Sequence, residues 1–120
     1  MSKVLIVEDD KDLNKAYGVI LSHFGHQVES TYNGLEALKK APKFKPDLIL
    51  LDLLMPVMGG LEFLRKFADD PKNKAKVLIF TNMENSPEVN EAYSLGAQRC
   101  VIKSWTAPQN LNSLVLETLK

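Results

Sequence analysis

The chain has a single cysteine, Cys100, in 120 residues. No internal disulfide can form, and a reducing, cytoplasmic setting is expected. Net charge is missing too, because fifteen basic side chains balance fifteen acidic ones. That balance gives no support to direct nucleic-acid binding or to an anionic membrane surface. No apolar run approaches the length of a bilayer span. Glu8, Asp9 and Asp10 interrupt the N-terminal apolar stretch, so it lacks the form of a signal peptide. Repeats, low-complexity tracts and interdomain linkers are absent as well. What remains is 45% hydrophobic and 25% charged residues, an ordinary globular mixture. The length suits one domain with a real core and is short for two, so residues 1–120 are expected to form a single domain.

The segment from Pro46 to Pro56 organises the rest. Leu48, Ile49, Leu50 and Leu51 form an unbroken apolar run bounded by turn residues. Such a run reads as a strand buried on both faces, as in a parallel sheet under helices. Val4 to Val7 and Val77 to Phe80 read the same way, Cys100 to Ile102 reads as a fifth strand, and His26 to Thr31 reads as a half-wet edge strand. Amphipathic helices fill the gaps. The first presents Leu13, Ala16, Tyr17, Ile20, Leu21 and Phe24, is capped by Asp10 and stops at Gly25. The second starts with an Asn33–Glu36 capping box, turns Leu35, Leu38 and Ala41 inward, and is expected to end at Pro42. The third carries Leu61, Leu64, Phe67 and Ala68. The fourth starts at Ser86-Pro87, turns Val89, Ala92 and Tyr93 inward, and stops at Gly96. The fifth is expected to start from a Thr106–Gln109 capping box. Five strands alternating with five helices imply right-handed crossovers and a flavodoxin-like α/β fold, with a doubly wound parallel sheet in the order 2-1-3-4-5.

In that order the strand ends bring chemistry together. Glu8 and Asp9 follow the first strand, Asp52 ends the third, Thr81 the fourth and Lys103 the fifth. Taken singly, each residue has a bland use: a solvated helix start, a turn cap, a strand threonine, a surface lysine. Together they make a cup of three carboxylates, one hydroxyl and one ammonium. Clustered carboxylates repel unless a cation sits among them, and a hard divalent ion such as Mg²⁺ would resolve the conflict. A carboxylate on such a metal, beside a lysine and a hydroxyl, fits phosphoryl transfer, with Asp52 as nucleophile.

These segments resemble the motifs of response-regulator receiver domains of two-component signalling, of the chemotaxis-regulator kind. The resemblance rests on Val7-Glu8-Asp9-Asp10, Leu51-Asp52-Leu53-Leu54-Met55-Pro56, Phe80-Thr81 and Val101-Ile102-Lys103, and covers residues 3 to 119. It implies that Asp52 is the phospho-acceptor, and that Asp9 and Asp52 touch Mg²⁺ (or Mn²⁺), with Glu8 beside them and the Leu54 carbonyl as a main-chain ligand. It further implies that Thr81 is the switch hydroxyl and that Lys103 pairs with the phosphoryl group. A sensor histidine kinase or histidine phosphotransfer protein would be the donor, in a phosphorelay to an unnamed downstream protein. The domain would be a monomer or a phosphorylation-dependent dimer, with no membrane attachment. It would be a signalling domain rather than an enzyme, catalysing only its own phosphorylation and dephosphorylation.

Three departures from the family's pattern stand out. Cys100 occupies the position of the usual aromatic switch residue and reads best as a small apolar packer. Ser104 replaces the proline that normally follows the lysine, so a trans Lys103–Ser104 peptide is expected. Gly59 stands where an aspartate often caps the third helix. Leu54 and Met83, two residues past Asp52 and Thr81, are apolar where a water-orienting side chain would speed dephosphorylation. Trp105 is expected to pack over a corner of the fold. The alternatives are a scaffold-only receiver and, less well matched, a haloacid-dehalogenase-type phosphohydrolase, which wants an acid at Leu54. A flavin-binding flavodoxin would need a phosphate loop where Glu8-Asp9-Asp10 stands.

Overall fold

Every apolar run identified in the sequence becomes a strand in the computed structural model, which describes residues 2–82 and 86–120. The strands are β1 (Lys3–Val7), β2 (Gln27–Thr31), β3 (Leu48–Leu51), β4 (Lys76–Thr81) and β5 (Arg99–Ile102). They alternate with the helices α1 (Lys11–His23), α2 (Gly34–Phe44), α3 (Gly60–Ala68), α4 (Pro87–Ser94) and α5 (Leu111–Leu119). All pairings are parallel, and the order is β2-β1-β3-β4-β5 as expected.

The runs are continuous because both sheet faces are covered. Leu5, Val7, Ile49, Leu51, Val77 and Ile79 point to one side, against Ala37, Phe44, Phe63, Phe67 and Ala92 of α2, α3 and α4. Val4, Ile6, Leu48, Leu50, Leu78 and Phe80 point to the other, against Tyr17 and Leu21 of α1 and Leu111 and Val115 of α5. Each fully buried aliphatic side chain here contributes roughly 1.5–3 kcal/mol.

Several helix ends form as the sequence implies. Asp10 Oδ1 accepts from the N–H groups of Asp12 and Leu13 at 3.0 and 3.1 Å. Asn33 Oδ1 accepts from Glu36 N–H at 2.9 Å, while Glu36 Oε1 reaches one residue further than in a standard box, to Tyr32 N–H. Ser86 caps α4 with Pro87 behind it, and α3 starts at Gly59 with no side-chain cap. Gly25 and Gly96 follow α1 and α4 at φ values of 90° and 107°, which a side chain would resist.

Other expectations are corrected. Pro42 does not end α2, which continues to Phe44. A proline in the last turn removes only the bond to the Leu38 carbonyl, and burial of Phe44 in the core holds the extra residues in place. Thr106 does not cap α5. Its hydroxyl donates to the Ile102 carbonyl at 3.0 Å, and the helix is entered through a 3₁₀ turn, Pro108–Asn110. On α1 the buried stripe is Asn14, Tyr17 and Leu21, while Leu13, Ala16 and Phe24 face outward. The amide of Asn14 is committed to two backbone carbonyls beneath the helix, and that polar anchor sets the rotation. Leu35 and Tyr93 are likewise exposed. Trp105, at 74% exposure, does not pack over a corner. It lies two residues past Lys103 in a 3₁₀ turn, Lys103–Trp105, whose threefold geometry sends it away from the side Lys103 takes.

Gly60 ties the fold to the end of β3. A Cβ there would lie 2.9 Å from Leu53 Cα and closer still to the Asp52 carbonyl oxygen. Gly60→Ala is therefore expected to destabilise the protein by about 1–3 kcal/mol, by forcing backbone apart. Urea unfolding measures this, and an unchanged midpoint would contradict the close approach.

Candidate functional site

In a parallel sheet every C-terminal strand end opens on the same edge. Glu8 and Asp9 follow β1, Asp52 follows β3, Thr81 closes β4 and Lys103 follows β5. These four strands are consecutive neighbours, paired Val7 with Leu51, Leu51 with Ile79 and Thr81 with Ile102. Asp52 N–H extends the ladder by donating to the Val7 carbonyl at 3.0 Å.

The centre of the site is an ammonium between two carboxylates. Lys103 Nζ donates to Asp52 Oδ2 at 3.0 Å and to Glu8 Oε1. The second oxygen of each acid is held by backbone. Asp52 Oδ1 accepts from Leu53 N–H at 2.8 Å, and Glu8 Oε2 accepts from Asp10 N–H at 3.1 Å. Glu8 and Asp52 are 3% and 7% exposed, so both charges sit largely out of water. Burial pushes the Glu8 carboxyl above its usual range, against the pull of Lys103 and the Asp10 N–H. Burial works against the Lys103 ammonium, but its hydrogen bond to Glu8 and the charge of Asp52 prevail and raise its pKa.

Asp9 is exposed at the mouth, and ligand oxygens of Glu8, Asp9 and Asp52 lie within 4.8 Å of one another. Three carboxylates face one ammonium, and the donor set is all oxygen. That chemistry suits a hard divalent cation with retained waters. Thr81 is buried at the end of β4. Leu54 lies in the β3–α3 loop with its side chain 65% exposed. Met83 lies outside the described residues.

The departures resolve in physical terms. No cis peptide bond occurs among the described residues. The expected trans Lys103–Ser104 bond is present, and the 3₁₀ turn still delivers Lys103 to the acids. Cys100 is half-buried against the core on the α3–α4 side, and its N–H donates to Tyr93 Oη at 3.0 Å. Burial raises the pKa of its thiol, which leaves it a packer and a poor nucleophile.

Sequence reasoning missed Asn14. Its side chain is fully buried, and Nδ2 donates to the carbonyls of Glu8 and Thr31, both at 2.9 Å. It thereby fixes the backbone that carries the acidic pair. The available signal was a polar residue at positions i, i+3, i+7 with Tyr17 and Leu21, in the centre of an apolar stripe.

A family model, the response regulator receiver domain, matches residues 4–115. The chain belongs to that family. It is 31% identical over 103 residues to the response regulator ArlR of Staphylococcus aureus, covering 86% of this chain and 46% of that protein. The chain thus spans about half the length of that curated relative. The chemotaxis response regulator CheY4 of Vibrio cholerae superposes with a TM-score of 0.89 at 33% identity, over 98% of both chains. A CheY-like receiver domain protein from Methanospirillum hungatei JF-1 gives 0.90 at 26% identity, over 99% of this chain and 94% of the other. Among the described residues no helix is long and apolar enough to cross a membrane.

The exposed position of Asp9 makes it the member of the acidic set that can be altered with least effect on the core. Asp9→Asn is expected to weaken Mg²⁺ binding by about tenfold or more, ~1.4 kcal/mol, with little change in unfolding midpoint. Isothermal titration with Mg²⁺ provides the check, and an unchanged affinity would remove Asp9 from the ligand set.

Proposed function

We propose that this receiver domain is a phosphorylation switch with Asp52 as its phospho-acceptor. The observation that supports this best is the Lys103 ammonium held between Asp52 Oδ2 and Glu8 at the mouth of an all-oxygen acidic cluster. A carboxylate oxygen of Asp52 attacks the phosphorus of a phosphohistidine. The O–P bond forms as the P–N bond breaks, the imidazole nitrogen leaves with the electron pair, and the product is an acyl phosphate. Negative charge on the transferring oxygens requires fixed donors. Lys103 neutralises one oxygen, and the Thr81 hydroxyl donates to another. Glu8, Asp9, Asp52 and the Leu54 carbonyl are the residues that would hold Mg²⁺, which when bound supplies further neutralisation of phosphoryl charge. Once Asp52 is phosphorylated, Lys103 exchanges a carboxylate for a phosphoryl partner, and the β4 and β5 ends that carry Thr81 and Lys103 adjust with it.

The donor in this reading is a sensor histidine kinase or a histidine phosphotransfer protein, and the output is a conformational signal to a protein partner. The relatives' printed names, response regulator and chemotaxis response regulator, support that class of role. The single-domain boundaries 1–120 belong to the same reading. The chemistry is confined to the domain's own phosphorylation and dephosphorylation.

Incubation with acetyl phosphate and Mg²⁺, followed by intact mass, is expected to show one added phosphoryl group. Chelation of the metal and Asp52→Asn are each expected to abolish it. Full labelling of Asp52→Asn would transfer the acceptor role to another residue.

The lifetime of the acyl phosphate depends on an in-line water. Leu54 cannot orient one, and neither can Met83, which the sequence places two residues after Thr81. Slow loss of phosphate is expected. Leu54→Asn combined with Met83→Glu should accelerate it by roughly tenfold or more, about 1.4 kcal/mol of barrier. The measurement is decay of the labelled mass after donor removal in Mg²⁺. Parent protein that decays as fast as the double variant would end the apolar-gate explanation.

A further inference from the structure

A cavity lies at the other end of the sheet. It has a volume of about 770 Å³, well within the range of small-molecule sites. Its walls come from the end of α2, the residues leading into β3, the α3–β4 loop and the end of α5. Lys76, which starts β4, is on its rim, whereas Asp52 follows the far end of neighbouring β3. Strands of this length separate the two sites by roughly 15–20 Å at about 3.3 Å per residue.

The lining is basic. Lys45, Lys72, Lys74 and Lys76 border the cavity against two aspartates, Asp47 and Asp70. Both aspartates are already engaged by backbone. Asp47 Oδ2 accepts from Lys3 N–H at 2.8 Å, and Asp70 Oδ1 accepts from Lys72 N–H at 2.9 Å. Among the described residues none of the four lysines forms an ion pair, whereas Lys40, Arg65, Arg99 and Lys103 all do. The concentration is visible in the chain. Seven lysines fall within residues 39–45 and 72–76, with no acid in either segment, although the whole sequence has zero net charge. A helix C-terminus favours cations, which accounts for lysines at the end of α2. It does not account for Lys72 and Lys74 in the α3–β4 loop.

Two further features bear on the ligand. Lys45 has φ 54°, a left-handed conformation ordinarily left to glycine or asparagine. A long cationic side chain thus occupies a position that backbone preference would leave to a smaller residue. The cavity also has an apolar side, with Phe67, Ala75 and Leu119 among its lining residues.

We propose that this cavity binds a small polyphosphate-bearing anion, held by Lys45, Lys72, Lys74 and Lys76. Compact lysine ammoniums act as point charges on phosphate oxygens. The shared chemistry is two or more linked phosphates, whose source is a nucleoside polyphosphate or an inorganic polyphosphate. The apolar side gives a nucleoside ring a surface to cover. This site is independent of Asp52 and of the phospho-acceptor reading.

The test is calorimetric titration of the full chain with ATP and, separately, with sodium tripolyphosphate, in chelator so that the acidic edge holds no metal. One saturating site is expected, with affinity that falls as salt rises. Lys72→Gln with Lys74→Gln is expected to weaken it at least tenfold. Lys39→Gln with Lys43→Gln changes the net charge equally but lies outside the cavity lining, and is expected to leave affinity within about twofold. Tighter binding of ATP than of tripolyphosphate would assign the nucleotide as the source, and equal binding would assign the phosphates alone. In the parent protein, amide shifts mapped by NMR are expected to cluster at Lys45 and 72–76, which keeps the test valid if a variant fails to fold. Absence of saturable binding of both anions at millimolar concentration would overturn the proposal. Equal losses in the two double variants, or shifts spread over all lysines, would overturn it as well.

Discussion

The structure turns on one electrostatic problem, the placing of three carboxylates within 4.8 Å at the edge of a buried sheet. At that separation two unit charges repel by about 3–4 kcal/mol at an effective dielectric of about 20. Glu8 and Asp52 cannot relax outward, because each follows directly on a strand that is buried on both faces. Lys103 is the chain's own answer, a cation delivered from two strands away with one contact to each acid. It leaves the site one cation against three anions. An arrangement in that state gains from any further positive partner and from any group that disperses the charge of Asp52. The repulsion that makes the site costly to build is thus also what makes it receptive to a further cation.

Holding charges so close demands a stiff frame. Asn14 spends both of its N–H groups on the Glu8 and Thr31 carbonyls and so fixes the β1–α1 turn. Gly60 lets α3 start against the Asp52 backbone, where any side chain would collide. The Lys103–Trp105 turn, closed by the Thr106 hydroxyl on the Ile102 carbonyl, replaces the proline turn usual after the lysine. These three supports share no sequence signature, yet each acts on the backbone next to one charged member of the site.

How much could be read from the sequence follows from the range of the interaction involved. The strands were legible because burial on both faces leaves an unbroken apolar run, and strand order followed once β2 showed a wet face. The acids and Lys103 were legible because parallel strands end at a common edge. Asp10, Asn33 and Ser86 were readable as caps because a cap satisfies N–H groups two or three residues away. The errors arise where a distant contact decides. Pro42 sits inside α2 because Phe44 has a core to fill. The α1 stripe turns on a bond from Asn14 to Thr31, seventeen residues on. Thr106 had two uses for its hydroxyl, and the turn behind it prevailed. Trp105 faces out because Lys103 must face in.

Composition misled in one further respect, and the fold explains why. A net charge of zero describes an average, while the chain sorts its charges by end. In a parallel α/β fold the helices run against the strands, so helix N-termini gather at the edge that carries Glu8 and Asp52. Acids occupy the first turns of α1, α2, α3 and α4, as Asp12, Glu36, Glu62 and Glu88. Bases occupy the last turns of α2 and α3, as Lys43, Arg65 and Lys66. Each such placement contributes about 0.3–1 kcal/mol through the backbone dipole, which is positive at the acidic edge and negative at the opposite one. The same dipoles favour the buried carboxylates of the site, so one backbone field acts on the scaffold and on the acidic edge alike. Winding direction, helix composition and site chemistry are thus consequences of one choice, that all strands point the same way.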